Sequence, residues 1–484
     1  MVDIYIKEEF YAYDAFHIVK AFLPNEEIKQ HINRERNEII SIDVDKQTII
    51  KIDDVNKECT KKENKSEVNK KIYKEMERYT NKSIAWGILT GIRPTKILMK
   101  KLEDGKSEGE IKEWFQQQYL VSEKKATLGM EIAKREKSLL EQLDYENGYS
   151  LYIGIPFCPT TCSYCSFTSY PIQQWKERTD EYLEALCKEI SFVGETSKEK
   201  KLNTIYMGGG TPTTLEAEQL DRLLTHVEKT FSLEELKEFT VEAGRPDSIT
   251  EAKLEVLKRH HITRISINPQ TMQQKTLDSI GRRHTVEDVI RIFRLARKLG
   301  FDNINMDLIA GLTGENVDDM RDTLEKIKEL NPDNLTVHSL AIKRASKLNQ
   351  TEAKKELMNQ SETLSEMIEL AAKYAGEMEL FPYYLYRQKN IAGNFENVGY
   401  AKVDKAGIYN ILIMEEKQSI VAVGAGASTK AVFSAAEDQL KNGQPGKEVK
   451  LEKRIERVEN VKDVGQYIAR IDEMIERKGE LLWH

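Results

Sequence analysis

Three of the chain's five cysteines fall in one short stretch, "YIGIPFCPTTCSYCSFTSYP", from Tyr152 to Pro171. Cys158, Cys162 and Cys165 are spaced C-x-x-x-C-x-x-C. Thiolate sulfur suits zinc or iron–sulfur clusters. Structural zinc takes four protein ligands, and an ordinary [4Fe–4S] cluster takes four cysteines, one per iron. Three thiolates leave one iron without a protein ligand, and an open coordination position is what a catalytic metal keeps. Two other readings stand beside this one: three inert buried thiols, and a structural zinc completed by a distant histidine, the nearest being His226. Cys59 and Cys187 lie in charged and helical surroundings and read as ordinary structural cysteines.

Further polar features recur downstream. "TIYMGGGTPT" places Gly208, Gly209 and Gly210 before Thr211 and Pro212. Glycine lets backbone groups approach a ligand closely. No Gly-Lys-Ser/Thr follows, so this is not a Walker loop, and it is not G-x-G-x-x-G. Glu242 follows an apolar run in "EFTVEAG", Gln270 follows "RISINP", and Asp307 sits inside "NINMDLIAGL". A carboxylate within an apolar strand needs a partner.

The elements that would position these residues read as three regions. Residues 1–148 show a helical "YDAFHIVKAFL", two alternating strands in "EIISIDVDKQTIIKID", and then long charged helices. Among them lies "WGILTGIRPTKI", a loop leading into a helix. We take this as an N-terminal α+β domain. Residues 149–345 alternate six short apolar runs with amphipathic helices. Thr285 with Asp288 forms a capping box at one helix start. Six βα units imply parallel strands with right-handed crossovers. A closed eight-fold barrel needs two more, so the expectation is an α/β fold with an open, partial (β/α)6 TIM-like barrel. In such folds functional groups lie on loops at the C-terminal ends of strands. The cysteines, the glycines, Glu242, Gln270 and Asp307 all fall there, on five consecutive strands. Residues 346–484 form a C-terminal mixed α/β extension, expected to cover the substrate. It runs from a helix through "FPYYLYRQKNIAGNF", strand-like "AGIYNILIM" and "QSIVAVGAGAST" to a charged helix.

Composition excludes some classes. With 40% hydrophobic residues the chain can bury real cores. Net charge is −7, with lysines interleaved among acids, which argues against a nucleic-acid partner. No run approaches the ~18 apolar residues of a membrane span. "MVDIYIKEEF" lacks a signal peptide's basic and apolar regions. Five cysteines, an odd number, do not make a disulfide framework. The expected setting is the cytoplasm.

With these residues in order, the sequence resembles the radical S-adenosylmethionine (radical SAM) superfamily, whose motif C-x-x-x-C-x-aromatic-C is matched by Cys158, Cys162, Tyr164 and Cys165. More narrowly it resembles the oxygen-independent coproporphyrinogen III oxidase family. "YIGIPFC", "GGGTPT", Glu242, "RIS" with Gln270, "GRRH" at 281–284 and "NMDLIAGL" follow that family in order. "WGILTGIRPTKI" looks like the HemZ-type branch of coproporphyrinogen dehydrogenases. The resemblance implies a [4Fe–4S] cluster whose open iron takes the amino and carboxylate groups of SAM. Cleaving SAM would give a 5′-deoxyadenosyl radical that takes hydrogen from a propionate of a tetrapyrrole, which loses CO2 and becomes vinyl. It implies that Tyr152, Tyr164, Gly209 and Glu242 hold this SAM, and that Gly210, Thr211, Gln270, Arg282, Asp307 and Ala341 contact a second. Tyr152, Glu242, Arg282 and Asp307 carry the expected catalytic roles. The implied partners are a tetrapyrrole and a small electron donor such as flavodoxin or ferredoxin. Two positions depart from the pattern. Gly154 stands where family members often have histidine. Phe167 stands where some oxidases have a fourth cysteine, as in the family's haem-chaperone branch. A haem chaperone, a methyltransferase and a ring-opening enzyme are therefore the alternatives.

Overall fold

The computed structural model describes residues 1–54, 59–91, 93–165, 167–340, 361–387, 395–433 and 454–483. Ala341 and the boundary expected at 345 lie outside them.

The chain opens with a four-stranded sheet: β1 (Val2–Ile6), β2 (Ile28–Ile32), β3 (Ile40–Val44) and β4 (Gln47–Ile52), in the order β2-β1-β3-β4. Val2, Ile4 and Ile6 alternate inward along β1, as a half-covered strand requires. Helices α1 (Ala12–Phe22) and α2 (Lys61–Thr80) close that face into a separate small core. Helices α3 (Thr95–Glu103), α4 (Glu108–Tyr119) and α5 (Glu123–Leu140) do not share it. Their Leu98, Ile111, Phe115 and Met130 belong to the core of the main sheet. The "WGILTGIRPTKI" loop is the bracket between the two halves of the chain. Trp86 Nε1 donates to Glu396 Oε2 at 2.7 Å, and Arg387 Nη1 donates to Leu89 O at 2.8 Å. Arg93 Nη1 donates to Met414 O at 2.8 Å.

Among the described residues the main sheet has eleven strands. Six run parallel in sequence order: β5 (Gly148–Ile155), β8 (Lys201–Gly209), β9 (Glu238–Gly244), β10 (Arg264–Ile267), β11 (Ile304–Ala310) and β12 (Asn334–Ser339). Two short strands, β6 (Phe157–Cys158) and β7 (Tyr170–Pro171), pin the ends of the cysteine loop to each other. The crossovers are α6 (Thr179–Thr196), α7 (Ala217–Thr230), α8 (Glu251–Arg259), then α9 (Gln274–Ser279) with α10 (Val286–Lys298), and α11 (Val317–Leu330). The Thr285–Asp288 capping box opens α10. Strands such as β10 are buried throughout, the signature of a sheet covered on both faces. Beyond β12 the sheet continues antiparallel through β14 (Glu396–Ala401) to β13 (Phe381–Arg387). Beyond β5 it continues through β15 (Ser419–Val423), parallel to β5, then antiparallel to β16 (Ser428–Phe433) and β17 (Arg454–Glu459). This is the expected open α/β barrel, with extra strands at both edges. Helix α12 (Ser361–Glu377) packs on α11.

One expectation fails. "AGIYNILIM" forms a helix, α13 (Ile408–Glu415), not a strand. Residues 408–414 are apolar at six of seven positions, so the run carries no polar face in sequence, and periodicity cannot separate a buried helix from a buried strand. The chain closes with α14 (Val464–Ala469) and α15 (Ile471–Gly479). Among the described residues no helix is long and apolar enough to cross a membrane.

Candidate active site

The C-terminal ends of the parallel strands open into one cavity of about 1170 Å³, its mouth to solvent included. Cys158, Cys162, Cys165 and Tyr164 line it from the loop after β5. Gly209, Gly210 and Thr211 line it from the end of β8, and Glu242 from β9. Gln270, Arg282 and Asp307 complete the set. Eleven residues singled out in the sequence thus face one space. Tyr152 does not line it. Its ring lies behind the glycine wall, beside a smaller cavity that shares Gly209 and Phe167 with the first, and stacks on Tyr206 at 6.2 Å.

The glycine wall is dictated by crowding. A Cβ on Gly208 would meet Glu242 Oε2 at 2.8 Å, and one on Gly210 would meet Phe157 O at 2.4 Å. Gly209 adopts φ +108°, which side chains disfavour. The N–H groups of this wall are engaged: Gly210 N donates to Ile155 O at 2.7 Å and Thr211 N to Phe157 O at 2.6 Å. The stretch is therefore no anion cradle of free amides.

Two carboxylates face the cavity in different states. Burial pushes the Glu242 carboxyl up, and hydrogen bonds from Tyr206 and the Gly209 N–H pull it partly back, leaving it at about 7. Burial also pushes Asp307 up, but His338, Asn305 and Arg264 outweigh it and hold Asp307 below its ordinary range. Asn305 Nδ2 donates to Asp307 Oδ1 at 2.7 Å, and His338 Nε2 lies 3.8 Å from Oδ2. The carboxylate thus has the partners its burial demands, and Arg282, which the resemblance gives a shared ligand with it, is not among them. Instead Arg282 Nη1 donates to Asn268 O at 2.6 Å and Nη2 to the Tyr164 hydroxyl at 2.9 Å. The turn after α9 aims Arg282 at the cysteine loop, while β10 carries Arg264 toward Asp307.

Gln270 adopts φ +69° and bridges to β11, with its N–H on Asp307 O at 2.9 Å. Sequence reasoning missed Tyr206, Arg245, Asn268, His338 and Tyr386. Tyr206 bonds Glu242 directly, and the other four line the cavity. Arg245 was findable, because "GRPD" directly follows Glu242 at the same end of the same strand.

A parallel open barrel with three thiols after its first strand defines a class, and a model of the Radical SAM superfamily matches residues 152–327. The oxygen-independent coproporphyrinogen-III oxidase-like protein HemZ of Bacillus subtilis (strain 168) is 46% identical over 361 residues, 74% of this chain and 72% of that protein. Heme chaperone HemW of the same organism is 38% identical over 194 residues, 40% of this chain and 50% of that protein. A solved structure of coproporphyrinogen III oxidase (HemN) from Escherichia coli, a radical SAM enzyme, shares the fold with a TM-score of 0.51 at 20% identity, covering 70% of this chain and 73% of its own. The chain belongs to the radical SAM superfamily and, within it, to the oxygen-independent coproporphyrinogen-III oxidase-like proteins.

The residues present fit the cluster and SAM that this family implies. Three thiols share a loop and a cavity, and donors are aimed at two of them. Thr211 Oγ1 lies 3.6 Å from Cys158 Sγ, and Arg245 Nη1 lies 3.7 Å from Cys162 Sγ. Hydrogen bonds to sulfur are a protein's means of tuning such clusters. Among the described residues no three His, Cys, Asp or Glu side chains gather around a single metal-ion position; a cluster needs one thiolate on each of three irons instead.

Proposed function

We propose that the protein oxidatively decarboxylates propionates of a tetrapyrrole to vinyl groups without oxygen, with coproporphyrinogen III the expected substrate. The carrying observation is the likeness to the oxidase-like HemZ. It spans 361 residues, more than the superfamily core at 152–327, and so reaches beyond shared radical chemistry into parts that can face a substrate.

When bound, the cluster and SAM supply a carbon-centred radical that removes a hydrogen atom; the cofactor carries the hard chemistry. Cys158, Cys162 and Cys165 would hold three irons and leave the fourth facing the cavity. Glu242, once ionised, would accept an N–H of the SAM amino group, with Tyr206 orienting it. Tyr152 would support the Gly209 wall from behind. Tyr164 and Gly209 remain proposed contacts of this SAM, and Gly210, Thr211, Gln270, Arg282 and Asp307 those of a second, with Asp307 held ionised to meet a sulfonium. The proposed catalytic set is Glu242, Arg282 and Asp307. Each propionate would lose a hydrogen atom and then CO2, and the remaining electron would pass to a one-electron acceptor. The first electron would come from a small donor of the flavodoxin or ferredoxin kind.

Anaerobic incubation of reconstituted protein with SAM, a reductant and coproporphyrinogen III tests this. The expected products are the monovinyl intermediate and protoporphyrinogen IX by mass. SAM cleavage with no decarboxylated product overturns it. A second reading, haem binding, is favoured by Phe167, which is 70% exposed at the cavity rim. Tight haem binding without decarboxylation would select it.

A further inference from the structure

We propose that Arg245 sets the reduction potential of the cluster, acting on the Cys162 thiolate and positioned by Asp247. The proposal rests on the cluster reading above and concerns a residue no motif of the resemblance assigns.

Arg245 is only 3% exposed, and its whole guanidinium is committed. Nε and Nη2 fork onto the two oxygens of Asp247 at 3.0 and 2.6 Å. Nη1 donates to Thr160 O at 3.0 Å and Thr160 Oγ1 at 2.7 Å, and reaches Cys162 Sγ at 3.7 Å. The local chain explains this aim. Gly244 turns at φ +67°, and its carbonyl is tied to Asn268 N at 2.7 Å. Ser248 Oγ then holds the Arg245 carbonyl at 2.7 Å. Chain direction is thus fixed on both sides of a side chain that points back over the cysteine loop.

A solvated surface arginine would show none of this. An arginine that only braced the loop would need Thr160 alone, whereas this one also spans to sulfur. Two thiols of the loop differ in consequence. Cys158 receives a neutral hydroxyl from Thr211, while Cys162 receives a buried cation. Charge interactions strengthen away from water, and charge, burial and hydrogen bonds to sulfur are the levers on cluster potential. A cation at Cys162 favours the reduced cluster. Asp247 moderates it while fixing the fork, and an arginine fork is not replaced by a lysine. Reduction adds one electron from an external one-electron reductant; no bond is made or broken and no proton moves.

The test is a redox titration of reconstituted protein without SAM, followed by electron paramagnetic resonance. In Arg245→Gln the ratio of reduced to oxidised cluster at a fixed potential should fall at least tenfold, which is about 59 mV for a one-electron couple. Arg245→Lys should recover part of that shift. Asp247→Asn, which keeps the cation and removes its counter-charge, should shift the potential the opposite way. If Arg245→Gln fails to take a full complement of iron, the lysine and asparagine variants decide. Potentials equal to that of the unaltered protein at equal iron content overturn the proposal. So does an unchanged potential with weakened SAM binding, which would assign Arg245 to the ligand. Failure of the unaltered protein to take up any cluster overturns the reading of the whole site instead.

Discussion

Two buried polar networks of the barrel are built to opposite rules. On one side, Glu189 of α6 is fully buried and every valence is met. Its oxygens accept from Gly424 N at 2.8 Å, Tyr467 Oη at 2.6 Å and Asn460 Nδ2 at 2.8 Å, with Lys478 Nζ at 3.2 Å. Lys478, equally buried, also donates to Ala422 O at 2.6 Å. At the cavity, buried polar atoms are left over. Asn268 Oδ1 and Arg282 Nε have no hydrogen-bond partner among the described residues. Buried polar groups are normally satisfied, and exceptions call for an explanation. The complete network locks α14 and α15 onto the barrel. The incomplete one keeps hydrogen-bonding capacity for something that enters.

This contrast can be broken by exchanging costs. Cys162→Ser should abolish cluster uptake, read as loss of iron and of visible absorption after reconstitution. The apoprotein's denaturant midpoint should barely move, as expected for a half-buried side chain replaced by a close isostere. Lys478→Met should do the reverse. It strands a buried carboxylate, a defect that costs about 3–5 kcal/mol, read in guanidinium unfolding of the apoprotein. The iron content of the folded fraction should be unchanged. If Cys162→Ser destabilises as much as Lys478→Met, the cavity is a structural core like the other network and the contrast is false.

The incomplete network was the more legible of the two. Cys158, Gly209, Glu242, Gln270 and Asp307 could be placed together because each lies toward the C-terminal end of a strand or just past it, and strand ends of a parallel sheet share one edge. Arg282 was placed there by motif alone, and its pairing came out differently, because side-chain direction after a turn is set by tertiary packing rather than by spacing. Tyr206 was invisible as a functional group, since a tyrosine inside "TIYMGG" reads as a strand residue. The complete network was not legible at all. Glu189 and Lys478 lie 289 positions apart in charged amphipathic helices, where acids and lysines read as solvated faces. The place of the extra strands in the sheet was hidden too: "QSIVAVGAGAST" reads as strand, but β15 joins β5 from far along the chain, and no local pattern announces a long-range neighbour.

The smallest expected effect separates the networks by pH. Glu242 has its carboxyl raised from 4.5 to about 7, burial being the main cause. Between those values the folded chain holds a proton that the unfolded chain has lost, so apoprotein stability falls as pH rises through that window. Glu136 and Glu415 are raised as well and push in the same direction. The informative quantity is therefore the difference between the unaltered protein and Glu242→Gln, whose slope should be shallower. Ligand binding reverses the sense. The ionised carboxylate accepts the amino N–H of bound SAM more strongly than the protonated one, so SAM affinity of the reconstituted protein should rise with pH. One unit either side of 7 changes the ionised fraction about tenfold, or about 1.4 kcal/mol. Calorimetric titration at pH 6 and pH 8 should show that step, and Glu242→Gln should remove it and stay at the weaker level. A flat profile in the unaltered protein would mean that Glu242 does not receive the SAM amino group. Glu189→Gln, in the network that nothing enters, should leave the step intact.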